Sequence, residues 1–121
     1  MRPAWRSGGG PAVKPLSVSL LAIAALAAAP PGKQTFTGVI TDSMCATADH
    51  SQMKMGPTDG ECAIACIDVH GAAYVLYDGK RALTLSDQKT PEKFAGKKVT
   101  VTGTLDVKAG TIRVDSITAA K

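Results

Sequence analysis

The sequence predicts a small, mainly β domain: a five-stranded barrel with a cysteine-bearing helix inserted between strands 1 and 2 and a short helix between strands 3 and 4. Three observations lead to this fold class. Runs rich in β-branched residues are separated by turn residues. Apolar and polar residues alternate from 98 to 106, and one helical segment has capping residues at both ends.

The N-terminal residues have the pattern of a secretory signal peptide. Arg2, Arg6 and Lys14 make the leader basic, an apolar run follows at 16–29, and Ala25-Leu26-Ala27 supplies small residues for cleavage. The run is short for a transmembrane helix, which needs about 20 apolar residues, so an uncleaved anchor is the less favoured alternative. We therefore expect export to the periplasm or the cell exterior.

Cleavage at this point divides the chain into a signal peptide at 1–27, a flexible tether at 28–34 and a single domain at 35–121. Three of the 14 basic residues lie in the leader, so 11 basic and 10 acidic residues remain in the exported part. This balance produces no cationic field, and we expect neither nucleic acid nor an anionic membrane as a partner. A protein or a small ligand remains open as the partner.

The five strands are predicted from local patterns. Asp78-Gly79 marks a hairpin turn in which both residues favour positive φ, and strict alternation marks the fourth strand. In the fifth strand Ile117 is out of step with the inward residues before it, which predicts a bulge near Asp115-Ser116. A miniature helix capped by Thr90 is expected at 90–96. The predicted strands are 35–41, 73–77, 81–85, 98–106 and 111–118.

The cysteine-bearing helix has clear signals at both ends. Thr58 and Glu61 fit a capping box at its start, and Gly71 lies where the helix must end in a left-handed conformation. On a helical wheel the two helix cysteines share a broad arc with apolar residues. We expect their sulfur atoms to face inward and to meet the third cysteine beneath the helix. The residues expected on the inward arc are Cys62, Ala63, Cys66, Ile67, Val69 and His70.

Five strands with a short helix between the third and the fourth have the order of an OB-type barrel. A further set of positions spans nearly all of the predicted domain: Gly38, Asp42-Ser43-Met44-Cys45, His50, Cys62, Cys66, Gly71-Ala72, Tyr74-Val75-Leu76 and Val99-Thr100-Val101-Thr102-Gly103. In these positions the chain resembles a group of uncharacterised, small, secreted bacterial proteins with OB-like domains. The resemblance implies the fold but no known activity.

The chemistry that the sequence offers lies in the segment with the three cysteines. Cys45, His50, Cys62 and Cys66 supply one imidazole and three thiolates, a complete tetrahedral set for zinc. Cys62 and Cys66 lie one helical turn apart, close enough for a single ion to bridge. Additional thioether and imidazole groups shift the preference toward copper, because soft sulfur ligands suit Cu(I). These additional candidates are Met53, Met55 and His70.

A disulfide is the competing interpretation, and we favour it because exported cysteines tend to oxidise. Cys62 and Cys66 rarely bridge each other within a helix, so the bond is expected from Cys45 to one of them. Such a bridge closes a loop of about 20 residues and contributes roughly 3 kcal/mol of stability. The chain is then a secreted, non-catalytic binding or structural domain, with metal binding as the alternative function.

Enzymatic activity is not expected from this sequence. It contains no nucleophile elbow, phosphate-binding loop or ordered catalytic triad, and without a Cys-x-x-Cys pair a redox role is weak. Asp42 and Ser43 are expected to cap a turn rather than to take part in catalysis. No cofactor is expected other than zinc or copper.

Overall fold

The computed structural model of the protein describes residues 32–121; the predicted signal peptide at 1–27 and the first part of the predicted tether lie outside the described residues. The described part is mainly β, as predicted. Its strands are β1 (Gln34–Asp42), β2 (Tyr74–Tyr77), β3 (Ala82–Leu85), β4 (Lys98–Asp106) and β5 (Thr111–Ala119). The helix α1 (Asp59–His70) lies between β1 and β2, and short 3-10 helices cover Ser43–Cys45 and Thr90–Phe94.

The five strands form one sheet that closes into a ring in the order β1-β2-β3-β5-β4, since β4 pairs back onto β1. The neighbouring strands are antiparallel except for β3 and β5, which pair in parallel at Thr84 and Thr111. The ring encloses the hydrophobic core. Its buried members are Phe36, Ile40, Tyr74, Leu76, Leu83, Leu85, Val99, Val101, Ile112 and Ile117.

The bulge predicted in β5 is present. Thr102 pairs with Ser116 and Gly103 pairs with Val114, so Asp115 is the extra residue in the ladder. The inserted residue restores the inward direction of Ile117, which is buried in the core. The position of Ile117, out of step with the apolar residues before it, thus correctly predicted a local change in register.

Two glycines allow strands to approach more closely than any side chain would permit. A Cβ atom added to Gly38 would collide with the carbonyl group of Tyr77 across the β1–β2 pair. A Cβ atom added to Gly103 would collide with the carbonyl group of Arg113, next to the bulge. Both glycines are needed for space, because glycine inside a strand often marks such a close approach.

The helix α1 has the predicted ends. The Thr58 hydroxyl oxygen accepts a hydrogen bond from the Glu61 backbone N–H at 3.2 Å and donates to the Glu61 carboxylate at 2.9 Å. Gly71 follows the last turn with φ of 66°, and its N–H donates to the carbonyl groups of Cys66 and Ile67. This is the left-handed helix end that glycine provides. The helix begins at Asp59, directly after its cap.

The inward arc predicted for α1 is wrong at its C-terminal end. Cys62, Ala63 and Cys66 are buried, but Val69 is 66% exposed and His70 is also exposed. The helix contacts the sheet mainly through β1, and in its last turn Ile67 packs against the core while Val69 and His70 are exposed. A helical wheel gives the direction of each side chain but not where the neighbouring strand ends.

The turn at Asp78-Gly79 does not have the predicted conformation with positive φ at both residues. Only Gly79 has positive φ, at 96°. The Asp78 carboxylate accepts hydrogen bonds from the backbone N–H groups of Lys80 and Arg81 at 2.8 and 2.7 Å. A longer loop closed by an aspartate side chain therefore replaces the two-residue turn.

The segment predicted as a miniature helix forms a 3-10 helix, Thr90–Phe94. Thr90 is not its cap; the Asp87 carboxylate accepts from the N–H groups of Lys89 and Thr90 at 2.9 and 3.0 Å. Phe94 packs partly buried against the core.

At the start of the domain, β1 includes Gln34, the last residue of the predicted tether, because Gln34 pairs with Gly103. Within residues 32–121 no helix is long and apolar enough to cross a membrane.

Candidate metal centre

The site is built at the C-terminal end of β1, where three consecutive residues are buried. Ile40 continues the core face of the strand, and Thr41 and Asp42 are 1% and 0% exposed. Burial of two successive polar residues departs from strand alternation. It arises because the segment after β1 folds back over the strand end, where Thr41 contacts His50.

Asp42 caps the 3-10 helix that follows it. Its Oδ2 atom accepts hydrogen bonds from the N–H groups of Met44 and Cys45 at 2.9 and 3.0 Å. The turn-capping role expected for Asp42 is thus confirmed. Its other oxygen, Oδ1, is buried and has no hydrogen-bond partner within residues 32–121.

A strained turn brings His50 back to β1. Ala48 has φ of 61°, in the left-handed region, and its N–H donates to the Cys45 carbonyl at 2.9 Å. This conformation costs a residue other than glycine about 1–2 kcal/mol. Strain of this kind tends to persist at functional sites, where the surrounding structure enforces it. The turn places His50, which is 6% exposed, against Thr41.

The hydrogen bonds of Thr41 select one tautomer of a neutral His50 ring. The Thr41 hydroxyl donates to the Cys45 carbonyl at 2.8 Å, and the same oxygen lies 3.3 Å from His50 Nε2. Because its proton is already used, the hydroxyl oxygen accepts from Nε2–H. A neutral ring then carries its lone pair on Nδ1. This is the tautomer that can bind a metal through Nδ1.

The free ring nitrogen faces the free carboxylate oxygen. His50 Nδ1 lies 3.8 Å from Asp42 Oδ1, too far for a hydrogen bond, and both atoms are buried without a partner among the described residues. Unpaired buried polar atoms are uncommon in folded proteins and call for a physical explanation.

Cys45 completes a group of three ligand atoms. One ligand atom each from Asp42, Cys45 and His50 lies within 4.8 Å of the others, and all three residues are buried. Two ligand atoms at 2.0–2.2 Å from a tetrahedral zinc ion are separated by roughly 3.4 Å. The ligand atoms would have to approach one another by up to about 1.4 Å to enclose an ion. It offers oxygen, sulfur and nitrogen, all of which zinc accepts.

The helix cysteines, Cys62 and Cys66, which were predicted as ligands, are not members of this group of three ligand atoms. The pKa of the Cys45 thiol is raised by burial and then by the charges of Asp42 and Cys62. Burial raises the pKa of Cys66 to about 11, with further contributions from Asp42, Cys62 and Cys45. These mutual effects mean that the three sulfur atoms and the Asp42 carboxylate share one electrostatic environment. All three cysteines are free thiols in the part of the chain that the structure describes.

Cys62 also forms hydrogen bonds with the segment before the helix. Its Sγ donates to the carbonyl of Met53 at 3.0 Å and accepts from the N–H of Met55 at 3.2 Å. Met53 and Met55, candidate thioether ligands, are half-buried, and these contacts use their backbone atoms. His70 is exposed at the end of α1, outside the group of ligand atoms.

Two residues of this site were missed as functional candidates. Asp42 was expected only to cap a turn, yet its second oxygen belongs to the ligand group. Thr41 was read only as part of a strand, yet it orients His50. The available signal was an aspartate that directly follows a strand and precedes a cysteine by three residues.

Comparison with known protein families finds a similarity over the C-terminal part of the chain. A family model described as "Protein of unknown function (DUF5818)" matches residues 69–120, from the last turn of α1 through β5. This similarity agrees with the expected resemblance to uncharacterised small-domain proteins. Asp42, Cys45 and His50 precede the matched residues. The searches of curated proteins and of solved structures found no significant match.

Proposed function

We propose that this protein is a small metal-binding domain in which Asp42, Cys45 and His50 hold a zinc-like ion at the end of β1. The observation that carries the proposal is the pair of buried, unpartnered atoms, Asp42 Oδ1 and His50 Nδ1, separated by 3.8 Å within the described part of the chain. A buried carboxylate is strongly destabilising unless a charge or a metal compensates it. A bound cation would use both free atoms at once.

Cys62 is the fourth ligand in this proposal. Its charge raises the pKa of Cys45, and it lines the same cavity as His50, so it lies on the side of the site that a ligand can reach. Cys66 does not line that cavity, and burial raises the pKa of its thiol to about 11, which disfavours the thiolate that a metal binds. The ligand set expected from the sequence thus keeps Cys45, His50 and Cys62, and Asp42 takes the place of Cys66.

Zinc fits this set better than copper. One oxygen, one nitrogen and two sulfur atoms form a mixed tetrahedral set of the kind that zinc accepts. Cu(I) prefers sulfur and binds carboxylate oxygen poorly, so copper would instead use the thiols of Cys45, Cys62 and Cys66. The two metals are distinguished by whether Asp42 is needed for binding.

The hydrogen bond between Thr41 and His50 gives a sharp test of the zinc proposal. Thr41→Val removes the hydroxyl that fixes the His50 ring while nearly preserving the side-chain shape. Loss of such a partner typically weakens metal affinity about 10–100-fold. Thr37→Val on the exposed face of the same strand is the matched control and should bind like the unmodified protein. Titration of reduced protein with Co²⁺, followed by its thiolate absorption bands, measures the affinities.

Three outcomes would contradict the metal proposal. The first is the absence of Co²⁺ or Zn²⁺ uptake by reduced, folded protein. The second is binding that survives unchanged in a His50→Ala variant. The third is an equal effect of the two threonine substitutions, which would mean that Thr41 does not support the metal through His50.

A disulfide-stapled binding or structural domain is the second candidate function. It is favoured by the proximity of three buried thiols and by the export pattern of the N-terminus. The bridge would join Cys45 to Cys62 or Cys66. Thiol counting and intact mass of protein taken from its native compartment separate the candidates: a disulfide leaves one free thiol, whereas a metal site leaves three after chelation.

We also propose that the protein is exported and that its fold is an OB-like barrel. The basic leader and apolar run in residues 1–27 support secretion from a bacterial cell. The strand order β1-β2-β3-β5-β4 with a parallel β3–β5 pair supports an OB-like barrel. The role is non-catalytic: the raised pKa of Cys45 and the direction of His50 Nε2 toward Thr41 do not favour an activated nucleophile.

A further inference from the structure

A cavity opens beside the proposed metal site. Its volume is about 450 Å³, and it lies between the segment after Cys45 and the first turn of α1. The residues that matter for its chemistry are Asp49, His50, Lys54, Thr58, Asp59 and Cys62, all of which line it.

The cavity has an exposed mouth and a buried inner wall. Asp49, Lys54 and Asp59 are exposed to solvent, whereas His50 and Cys62 are 6% and 1% exposed. The two inner residues are proposed ligands, and His50 Nδ1 has no hydrogen-bond partner within the described residues. The cavity therefore connects solvent with His50, whose Nδ1 atom is free to bind a ligand.

The charges around the cavity favour a cation. Two carboxylates, Asp49 and Asp59, lie at the mouth with a single ammonium group, that of Lys54. The buried Asp42 carboxylate lies behind the inner wall, close to His50. Carboxylates at the mouth of a cleft attract cations and raise their association rate.

We propose that this cavity is the route by which a hydrated divalent cation enters and leaves the centre, so that the metal is exchangeable rather than permanently enclosed. Asp49 and Asp59 attract the ion, and Cys62 and His50 are the ligands it meets first. Two of the four proposed ligands, His50 and Cys62, thus line a cavity that reaches solvent. The inference rests on the proposed function and adds that the domain takes up and releases its metal.

The test compares the rates at which Co²⁺ binds to reduced, folded full-length protein by stopped-flow absorbance. The double variant Asp49→Asn with Asp59→Asn removes both mouth charges and keeps the side-chain shapes. Its association should be about 3–10-fold slower at low ionic strength, and the difference should shrink as salt is added. The control is Asp68→Asn with Asp106→Asn, two exposed carboxylates outside the cavity lining, which changes the net charge equally.

The outcomes separate this inference from the proposed function. If the unmodified protein binds no Co²⁺, the metal-binding function itself is wrong. If it binds Co²⁺ but the cavity variant and the control have equal rates, only the access route is wrong. Release of bound Co²⁺ to excess chelator within seconds supports an exchangeable site, whereas release over hours overturns it. Unfolding midpoints of the metal-free variants verify that each is folded.

Discussion

At the scale of single residues, Asp42 links the fold to the site. One of its oxygens holds the first turn after β1, and the other is free beside His50. Turn capping needs only an acceptor, which an asparagine would supply as well. The negative charge is therefore unnecessary for the local structure, and its burial is the feature that the proposed metal-binding function accounts for.

This reasoning predicts that Asp42→Asn stabilises the metal-free protein. The amide oxygen can still accept from Met44 and Cys45, and the variant no longer buries a negative charge. We expect the free energy of unfolding of metal-free, reduced protein to rise by about 1 kcal/mol. Metal affinity should fall more than about 10-fold. Urea denaturation and Co²⁺ titration measure the two quantities on the same samples.

Asp42→Ala is the matched variant without a cap. It should lower the free energy of unfolding by about 1–2 kcal/mol, because two backbone N–H groups lose their acceptor. A destabilised Asp42→Asn variant with unimpaired metal binding would show that the carboxylate serves the apo fold and not a cation.

Tyr74 provides a prediction on pH at the same scale. Burial, followed by the charges of Glu92 and Asp68, raises the pKa of Tyr74 from 10.0 to about 12. Between these values the native protein keeps a proton that the unfolded chain loses. The free energy of unfolding should therefore fall as pH rises through this window, and the tyrosine contribution is complete only below pH 10.

Tyr74→Phe isolates this contribution. The free energy of unfolding of the variant should fall less than that of the unmodified protein when pH is raised. The buried cysteines affect both proteins equally, so their contribution cancels when the two free energies are subtracted. Phenolate absorbance gives an independent readout, since the chain has 2 tyrosines. In the Phe variant the high-pH ionisation phase should be absent. If the substitution instead removes absorbance change near pH 10, Tyr74 ionises normally.

At the scale of elements, the segment between β1 and α1 contains one short 3-10 helix and is otherwise held by single hydrogen bonds to neighbouring elements. Ser43 joins it to the start of β2: its N–H donates to the Ala73 carbonyl at 2.8 Å, and its hydroxyl accepts from the Ala73 N–H at 3.0 Å. At the other end, Cys62 contacts the backbone of Met53 and Met55. An irregular loop attached in this way can place His50 accurately without being a helix or strand.

The pairing of β4 with β5 depends on the absence of a side chain at Gly103. Gly103→Ala would press a methyl group against the Arg113 carbonyl beside the bulge, and backbone cannot move aside cheaply. We expect the free energy of unfolding to fall by about 1–3 kcal/mol. Gly32→Ala is the control, because nothing lies within 4 Å of its added Cβ, and it should change stability by less than about 0.5 kcal/mol. Urea denaturation of both variants makes the comparison, and equal effects would contradict the close approach.

At the scale of the whole molecule, the closed sheet and the candidate site are largely separate parts. The family match at 69–120 covers β2 to β5, whereas the ligand group lies at the end of β1 and in the segment that follows. The sheet supplies a rigid strand end, and the inserted segment supplies most of the chemistry. Such a division lets one scaffold carry different sites.

Much of the fold was predictable because its signals are local. The alternation in 98–106 predicts a half-buried strand, and β4 has these bounds. Thr58 and Gly71 predict the ends of α1 because capping involves atoms within one turn. The exposure of Val69 and the single positive φ at Gly79 were not predictable, since each depends on contacts made by neighbouring elements.

The candidate site was predictable only in part. The residue types at Cys45, His50 and Cys62 indicated metal or disulfide chemistry, and spacing placed two cysteines on one helix face. Spacing could not reveal that Asp42 Oδ1 would be left without a partner, or that the Thr41 hydroxyl would accept a hydrogen bond from His50 Nε2–H. These facts depend on how the chain folds back over β1.

The sequence by itself determined the strands, the helix ends and the chemical nature of the groups available, because each follows from residues that are close along the chain. Only the tertiary structure decided which of those groups meet. Asp42 and His50 are eight positions apart in a segment without regular periodicity. The distance between their free atoms, 3.8 Å, results from a strained turn at Ala48 and from burial against β1, and no local pattern encodes either contact.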